Sequence, residues 1–253
     1  MPKSEDFIAV FDSGVGGISV LRALVQVLPQ ENFLYFGDSL NAPYGTKTTA
    51  QVKDLTCAAA DMLFGRGAKA LVVACNTATA AAIDCLRQSY PDKIIIGIEP
   101  AVKVAADHFP TGRVGVMATP VTLREEKFAH LKDNFPNLKI TPIGLPALAE
   151  IVEKGKSEEA ISRYLRPYLE PLKGKLDAVV LGCTHYPLIA PIIGALLGEH
   201  TALLDGAEGT ALQTKRRLEA AGLLSRGQGS VKVENSLGDK EILLRCMALL
   251  EDT

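Results

Sequence analysis

Residues 70–77 read Ala70-Leu71-Val72-Val73-Ala74-Cys75-Asn76-Thr77, an apolar run that ends in a thiol, an amide and a hydroxyl. An unbroken apolar run of this length is typical of a parallel strand that is covered on both faces. Residues 178–185, which read Ala-Val-Val-Leu-Gly-Cys-Thr-His, repeat the pattern in the second half of the chain. Residues 8–13 and 114–119 are a second similar pair at nearly the same separation. The repeat predicts two related units, each built around a buried parallel strand.

Short apolar segments alternate with longer segments of helical periodicity along the whole chain. The predicted strands are residues 7–11, 32–36, 70–74, 93–96, 113–117, 139–143, 178–181 and 202–204, with 232–237 either an edge strand or a loop. The predicted helices are residues 18–28, 48–64, 77–89, 158–172 and 210–221. This order predicts an α/β fold of two similar domains with parallel sheets wrapped by helices. We expect a pseudo-two-fold relation between them and an active site in between. The first domain is placed at residues 1–98, completed by 207–253, and the second at 99–206.

Composition excludes several classes of function. The chain has 253 residues and a net charge of −2, so it lacks the basic field that holds nucleic acid. Aromatic residues make up 6%, without Trp, and offer few surfaces for stacking bases. Its apolar runs are far shorter than the roughly 20 residues of a membrane span, and the N-terminus lacks a signal pattern. Five scattered cysteines, an odd number, do not form a disulfide framework and predict a reducing cytoplasm.

Polar groups follow four of the predicted strands, at residues 12–14, 38–45, 75–77 and 183–185. Ligands of open α/β sheets bind beyond the carboxyl ends of the strands. If the two domains face one another, Cys75 and Cys183 lie on opposite sides of one cleft. One thiolate can then remove a proton from an acidic carbon while the other thiol returns one, since a free thiol has a pKa of about 8.5. The alternative is that both are core cysteines, which is the interpretation for Cys57, Cys85 and Cys246.

Two loops and one histidine complete the candidate site. Residues 12–17 are rich in glycine but lack the spacing of a nucleotide-binding loop, and they fit a small anion such as a carboxylate, with Asp12 receiving an ammonium group. Residues 38–45 form either a plain surface turn or a lid or substrate wall with Tyr44 as gate. We interpret His185 as a neighbour that tunes the Cys183 thiol. No Cys/His cluster accompanies it, so no metal site is predicted.

Residues 11–17, 43–45, 74–78 and 181–187 together resemble the motifs of bacterial glutamate racemases, in the aspartate/glutamate racemase family. The likeness extends from residue 8 to about residue 250. It implies the two-domain fold with the active site between the domains. It also implies interconversion of L- and D-glutamate without pyridoxal phosphate, a metal or any other cofactor. The D-glutamate then enters peptidoglycan and so serves the cell wall and cell shape. We also expect a cytoplasmic homodimer without nucleic-acid or membrane partners.

The same resemblance implies roles for individual residues. Cys75 acts on D-glutamate and Cys183 on L-glutamate, while Asp12 and His185 tune the thiols. The implied substrate-binding residues are Asp12, Ser13, Pro43, Tyr44, Gly45, Asn76, Thr77, Thr184 and His185. Three further candidates are Asp38, Thr119 and Glu150, the last because the family has a glutamate near this position. The residues around Glu150 by themselves favour a solvated helix carboxylate.

Three alternatives remain open at this point. The first is an aspartate racemase or another amino-acid racemase of the same family. The second is a cysteine hydrolase in which Cys183 acts beside His185 and Cys75 is dispensable, because a hydrolase needs one thiol and an oxyanion hole. The third is a regulatory binding protein without catalysis.

Overall fold

Nine strands form two parallel sheets in the computed structural model, which describes residues 6–251. Residues 1–5 and 252–253 lie outside the described part. The predicted absence of a signal pattern at the N-terminus therefore concerns residues that the structure does not describe. The strands are β1 Phe7–Asp12, β2 Asn32–Gly37, β3 Ala68–Val73, β4 Ile94–Gly97, β5 Arg113–Ala118, β6 Lys139–Gly144, β7 Ala178–Gly182, β8 Ala202–Leu204 and β9 Ser230–Asn235.

Helices connect successive strands and cover both sheets. They are α1 Ile18–Val27, α2 Thr49–Gly65, α3 Asn76–Ser89, α4 Val102–His108, α5 Pro120–Arg124, α6 Glu126–Asp133, α7 Leu148–Glu153, α8 Glu158–Leu169, α9 Ala190–Leu197, α10 Ala207–Ala220 and α11 Lys240–Glu251. Short 3-10 turns cover Tyr44–Thr46, Glu170–Leu172 and Pro187–Ile189. Among the described residues, no helix combines the length and hydropathy that crossing a bilayer requires.

The first sheet has the order β4-β3-β1-β2-β9 and the second the order β6-β5-β7-β8. Every strand pair is parallel, which confirms the predicted α/β fold of two helix-wrapped parallel sheets. Residues 232–237, for which the sequence allows an edge strand or a loop, overlap β9, which pairs with β2 in the register Asn32 to Ser230. After the second sheet, the chain therefore returns to complete the first.

The central strands are buried on both faces. Residues 8–12 of β1 and all five residues of β7 are buried, because helices cover each face of the sheets. Every side chain of such a strand meets an apolar layer, which explains the uninterrupted apolar runs. The polar groups that follow these strands therefore emerge from rigid elements at the sheet edge.

A buried ion pair fixes the segment that leads into β9. Lys69 Nζ lies 2.6 Å from the Glu31 carboxylate, and both side chains are almost fully buried. Lys69 also donates to the carbonyl oxygen of Leu223 at 2.8 Å, and Glu31 accepts from the amide of Ser225 at 2.8 Å. The pair joins β3 and the start of β2 to the segment after α10. Two buried charges are tolerated here because each has a partner of opposite sign and a main-chain hydrogen bond.

Candidate active site

A narrow cavity lies between the carboxyl ends of the two sheets. Its wall is formed by Ser13, Ala42, Pro43, Tyr44, Gly45, Cys75, Asn76, Thr77, Thr119, Ala149, Glu153, Cys183, Thr184 and His185. We call this space the thiol cavity, because both strand-end cysteines line it. Its free volume is about 20 Å3, room for about one water molecule. A ligand of amino-acid size therefore needs the two walls to separate.

Cys75 lies between the end of β3 and the first turn of α3. Its Sγ accepts from the amide of Ala78 at 3.5 Å, so the side chain caps the helix, and its thiol donates to Ser13 Oγ at 3.5 Å. The side chain is 5% exposed. Burial, followed by the nearby charge of Asp12, raises the pKa of the Cys75 thiol to about 12, against the opposing effect of the hydrogen bonds with Ser13 and Ala78. Cys75 is thus a protonated thiol at neutral pH.

Cys183 follows β7 and lies beside an imidazole that is paired with a carboxylate. The distance from Cys183 Sγ to His185 Nδ1 is 3.8 Å, and His185 Nε2 lies 2.5 Å from the Glu153 carboxylate. Burial alone lowers the pKa of His185, but hydrogen bonds with Cys183 and Glu153 outweigh it and hold this pKa well above its usual value. An imidazole that is held towards its cationic form therefore lies beside the Cys183 thiol.

The Glu153 carboxylate also reaches the glycine-rich loop after β1. It accepts from the amide of Val15 at 3.0 Å, and its oxygens occupy the space into which a side chain at Gly14 would project. Burial raises the pKa of Glu153, but the hydrogen bond and charge of His185, the Val15 amide and the charge of Arg245 bring it below the usual value. Glu153 is therefore a carboxylate at neutral pH.

Asp12 ends β1 directly behind the thiol cavity. One of its oxygens accepts from the amide of Gly14 at 2.9 Å and the other from the Thr184 hydroxyl at 3.0 Å. Burial raises the pKa of Asp12 and outweighs the opposing charge of His185.

The glycines of the loop after β1 lie close to the side chains across the cavity. A Cβ at Gly16 would come within 2.5 Å of His185 Nδ1. The glycines thus allow the loop to approach His185 and Glu153 closely.

The segment after β2 forms a buried wall. Tyr44 is 1% exposed, and its hydroxyl donates to the Asp38 carboxylate at 2.7 Å. Asp38 also accepts from the Asn41 amide group at 3.0 Å. Asp38 therefore fixes Tyr44 from outside the thiol cavity, whereas Pro43, Tyr44 and Gly45 line it.

The sequence model of the Asp/Glu/hydantoin racemase family matches residues 8–214. The chain belongs to this family. Glutamate racemase of Clostridium novyi (strain NT) is 48% identical to this racemase over 244 residues, which cover 94% of each chain. The solved structure of the Bacillus anthracis glutamate racemase isoform RacE1 superposes with a TM-score of 0.87 at 30% identity, covering 97% of this chain and 95% of that one. Glutamate racemase of Francisella tularensis, solved in complex with D-glutamate, matches with a TM-score of 0.82 at 27% identity over 98% and 94% of the two chains.

The first turn of α3 supplies the racemase with further polar groups. Asn76 is 4% exposed, and its Oδ1 has no hydrogen-bond partner among the described residues. A buried acceptor without a partner is costly, so a donor from a bound ligand would relieve it. The Thr77 hydroxyl lies 3.0 Å from the Thr119 hydroxyl, which in turn lies 3.1 Å from that of Thr122. This hydroxyl cluster joins α3 of the first sheet to α5 of the second.

The structure places Glu150 and Glu153 differently relative to the thiol cavity. Glu150 does not line the thiol cavity; its half-exposed side chain pairs with Lys154 at 2.5 Å, one helical turn further along α7. The carboxylate that reaches the racemase site is Glu153, which sequence analysis missed. Both glutamates lie on the six-residue helix α7. They differ because the loop after β1 approaches the end of this helix and contacts Glu153.

All other sequence candidates lie in or directly against the thiol cavity. Eleven line it: Ser13, Pro43, Tyr44, Gly45, Cys75, Asn76, Thr77, Thr119, Cys183, Thr184 and His185. Asp12 and Asp38 hold wall residues from behind. Within residues 6–251, no group of three or more His, Cys, Asp or Glu side chains is arranged to hold a metal ion.

Proposed function

We propose that this protein interconverts L- and D-glutamate by a two-base mechanism in which Cys75 and Cys183 act on opposite faces of the α-carbon. Racemisation of glutamate is the activity of its curated relatives, of which the Clostridium novyi enzyme is 48% identical over 94% of both chains. The structure solved with D-glutamate supports a small amino acid as the substrate. The observation that carries the mechanism is that one cysteine from each sheet lines the same cavity.

From L-glutamate, the Cys183 thiolate removes the α-proton and becomes a thiol. The carbanion that results is stabilised through the α-carboxylate by hydrogen-bond donors. The Cys75 thiol then delivers its proton to the opposite face and becomes a thiolate, which yields D-glutamate. The reverse reaction exchanges the two roles. Proton exchange with solvent restores the starting form after each turnover.

The surroundings of the two thiols differ in charge. Cys75 is buried beside Asp12, which favours the protonated form that donates. Cys183 lies 3.8 Å from the imidazole of His185, whose pKa is held well above its usual value by hydrogen bonds. The two cysteines therefore differ in environment although they occupy equivalent strand ends. This difference is what a pair of groups with opposite tasks requires.

The remaining wall residues have binding roles in this proposal. Oδ1 of Asn76 and the carboxylate of Asp12 are acceptors that suit the ammonium group. The hydroxyls of Ser13, Thr77 and Thr184 and the main chain of residues 43–45 suit the two carboxylates. Thr119 holds the Thr77 hydroxyl in place.

The proposal extends to the setting of the enzyme. The two sheets support a first domain of residues 1–98 with 207–253 and a second of 99–206. We propose a cytoplasmic homodimer that uses no cofactor and supplies D-glutamate for peptidoglycan.

The decisive experiment starts from pure L-glutamate in heavy water. With two bases, early D-glutamate carries solvent deuterium at the α-carbon while the remaining L-glutamate stays nearly unlabelled. D-glutamate that keeps its original hydrogen would contradict two bases. Cys75→Ala and Cys183→Ala should each abolish inversion, whereas a hydrolase would tolerate the first. Circular dichroism with L-aspartate in parallel separates glutamate from aspartate racemisation.

A further inference from the structure

One side chain of the C-terminal helix reaches across to the other half of the molecule. Helix α11 packs against β9 and α1 of the first sheet. Its Arg245 donates from Nη2 to the carbonyl oxygen of Val152 at 2.6 Å and from Nη1 to the carbonyl oxygen of Glu153. Both acceptors lie at the end of α7, which follows β6 of the second sheet. Arg245 thus joins the last helix of the chain to the helix that carries Glu153.

The end of α7 is a place where a guanidinium group is stabilising. The last carbonyl groups of a helix lack intrahelical donors and carry partial negative charge. The amide of Gly155 donates to Val152 at 2.9 Å and the amide of Lys156 to Ile151 at 3.2 Å, which closes the turn. Arg245 adds a donor to the carbonyl of Glu153 itself. Its planar fork contacts two successive carbonyls, which a single ammonium group does not reproduce.

The residue held in this way carries the carboxylate of the candidate site. Glu153 is fixed at its main chain by Arg245 and at its side chain by the Val15 amide and His185 Nε2. His185 Nδ1 then lies 3.8 Å from Cys183 Sγ. A continuous series of contacts therefore runs from Arg245 through Glu153 and His185 to the thiol.

We propose that Arg245 is a positioning residue for racemisation: it fixes the main chain of Glu153 so that the carboxylate stays against His185 beside Cys183. This inference rests on the proposed role of Cys183. The charged or titratable groups that face Glu153 are His185 after β7, Arg245 and Cys246 on α11, Asp12 at the end of β1 and Tyr35 on β2. Loss of Arg245 removes a cation from this group and frees Glu153 to leave His185. Both effects loosen the imidazole that lies 3.8 Å from Cys183 Sγ.

The test compares Arg245→Met, Arg245→Lys and the control Lys240→Met, which removes an exposed cation from the same helix. We expect Arg245→Met to lower kcat about tenfold with little change in KM, and Arg245→Lys to lower it less. The loss in kcat/KM is the same in both directions, because the two enantiomers have equal free energy. Lys240→Met should retain wild-type kinetics.

Two readouts separate positioning from a general structural role. In a double-mutant cycle, Arg245→Met should hardly lower kcat further when Glu153→Gln is already present, because Arg245 acts through Glu153. In the ligand-free protein, the rate of alkylation by iodoacetamide at a fixed pH, mapped by mass spectrometry, should change at Cys183 and stay the same at Cys75, because the series of contacts from Arg245 ends at Cys183. Additive losses, equal changes at both cysteines or wild-type kcat would each overturn the proposal.

The outcomes also distinguish this inference from the proposed function. If Cys183→Ala still racemises well, the two-base mechanism fails, whatever Arg245 does. If Cys183→Ala is inactive, but the losses in kcat from Arg245→Met and Glu153→Gln are additive, only the positioning role of Arg245 fails. Should Arg245→Met not fold, Arg245→Lys decides through the same cycle with Glu153→Gln.

Discussion

The Thr184 hydroxyl lies 3.0 Å from the Asp12 carboxylate, so a residue that follows β7 of the second sheet donates to the last residue of β1 in the first. The Ser19 hydroxyl adds a contact to the carbonyl oxygen of Thr184 at 3.3 Å. These bonds set the separation of the two strand ends next to the cysteines. The distance between the two thiols is therefore controlled by polar contacts that a substrate can exchange for its own.

Asp12→Asn should lower the turnover of the enzyme but make Cys75 react faster with an alkylating agent. Turnover should fall by about tenfold or more, because a charge that tunes the thiol is lost. Alkylation of Cys75 in the ligand-free protein should become faster at a given pH, since the negative charge of Asp12 helps to keep the Cys75 pKa high. Steady-state kinetics and peptide mapping measure the two effects. Slower alkylation of Cys75 in Asp12→Asn would contradict the assignment.

Glu153→Gln should lower kcat by at least about tenfold, because the amide cannot stabilise the cation of His185 as a carboxylate does. Glu150→Gln is the matched control on the same helix, and its kinetics should equal those of the wild type. Racemisation followed by circular dichroism gives kcat for both variants. A larger loss in Glu150→Gln than in Glu153→Gln would instead assign this role to Glu150, as the family resemblance implies.

Gly16→Ala should impair turnover without unfolding the protein. The added Cβ would lie 2.5 Å from His185 Nδ1 and 2.7 Å from Thr184 Oγ1, so the imidazole must move away from its position beside Cys183. Gly209→Ala is the control: nothing lies within 4 Å of its Cβ, and alanine in α10 should stabilise by about 0.5–1 kcal/mol. Kinetics and thermal unfolding of the two variants are compared. Wild-type turnover in Gly16→Ala would show that His185 need not hold its place.

The contribution of His185 to stability should depend on pH in one direction. The folded pKa of His185 lies above its usual value of 6.5, so the protonated form stabilises the fold. The full contribution is present below pH 6.5 and is lost as pH rises through the raised folded pKa. Urea unfolding at several pH values should show the largest difference between wild type and His185→Asn at about pH 6. A His185 contribution that grows with pH would refute the ion pair.

Lys69→Met should destabilise the protein by about 3–5 kcal/mol, because it leaves the Glu31 carboxylate buried without a cation. Adding Glu31→Gln should restore part of this loss, since the amide oxygen can still accept from the amide of Ser225. Urea unfolding measures all three proteins. Independent, additive losses in the double variant would mean that the two charges do not stabilise one another.

Much of the fold follows from local patterns in the chain. Strands such as β1 and β7 are apolar throughout, and periods of 3.6 residues identify α1 and α8. Helix α3 begins at Asn76, one residue before the predicted start, because the Cys75 side chain supplies the cap. The predicted helix over 158–172 divides into α8 and a 3-10 turn at Pro171, since proline cannot donate the next helical hydrogen bond. Helix α7, with six residues, is too short for a periodic signal.

The site was predictable where function lies at strand ends. Cys75 and Cys183 follow apolar strands, and the topology of parallel sheets brings such ends together. Glu153 and Arg245 follow no such rule. Their roles depend on how the end of α7 meets the loop after β1 and helix α11, which are remote in sequence. Contacts of this kind arise from tertiary packing and leave no local pattern.

The pairing of β2 with β9 has a consequence for synthesis. Strand β2 ends at Gly37, whereas its outer neighbour begins at Ser230, after the whole of the second sheet. Chains emerge from the ribosome with the N-terminus first. Until residues 230–235 emerge, a sheet formed by the earlier strands would leave the amide and carbonyl groups on one edge of β2 unpaired, and such an edge is a template for aggregation. The last strand to be made replaces the apolar edge of β2 with an edge that carries Lys232 and Glu234, and charged side chains on an edge strand oppose such pairing. A chain truncated before it should require a chaperone.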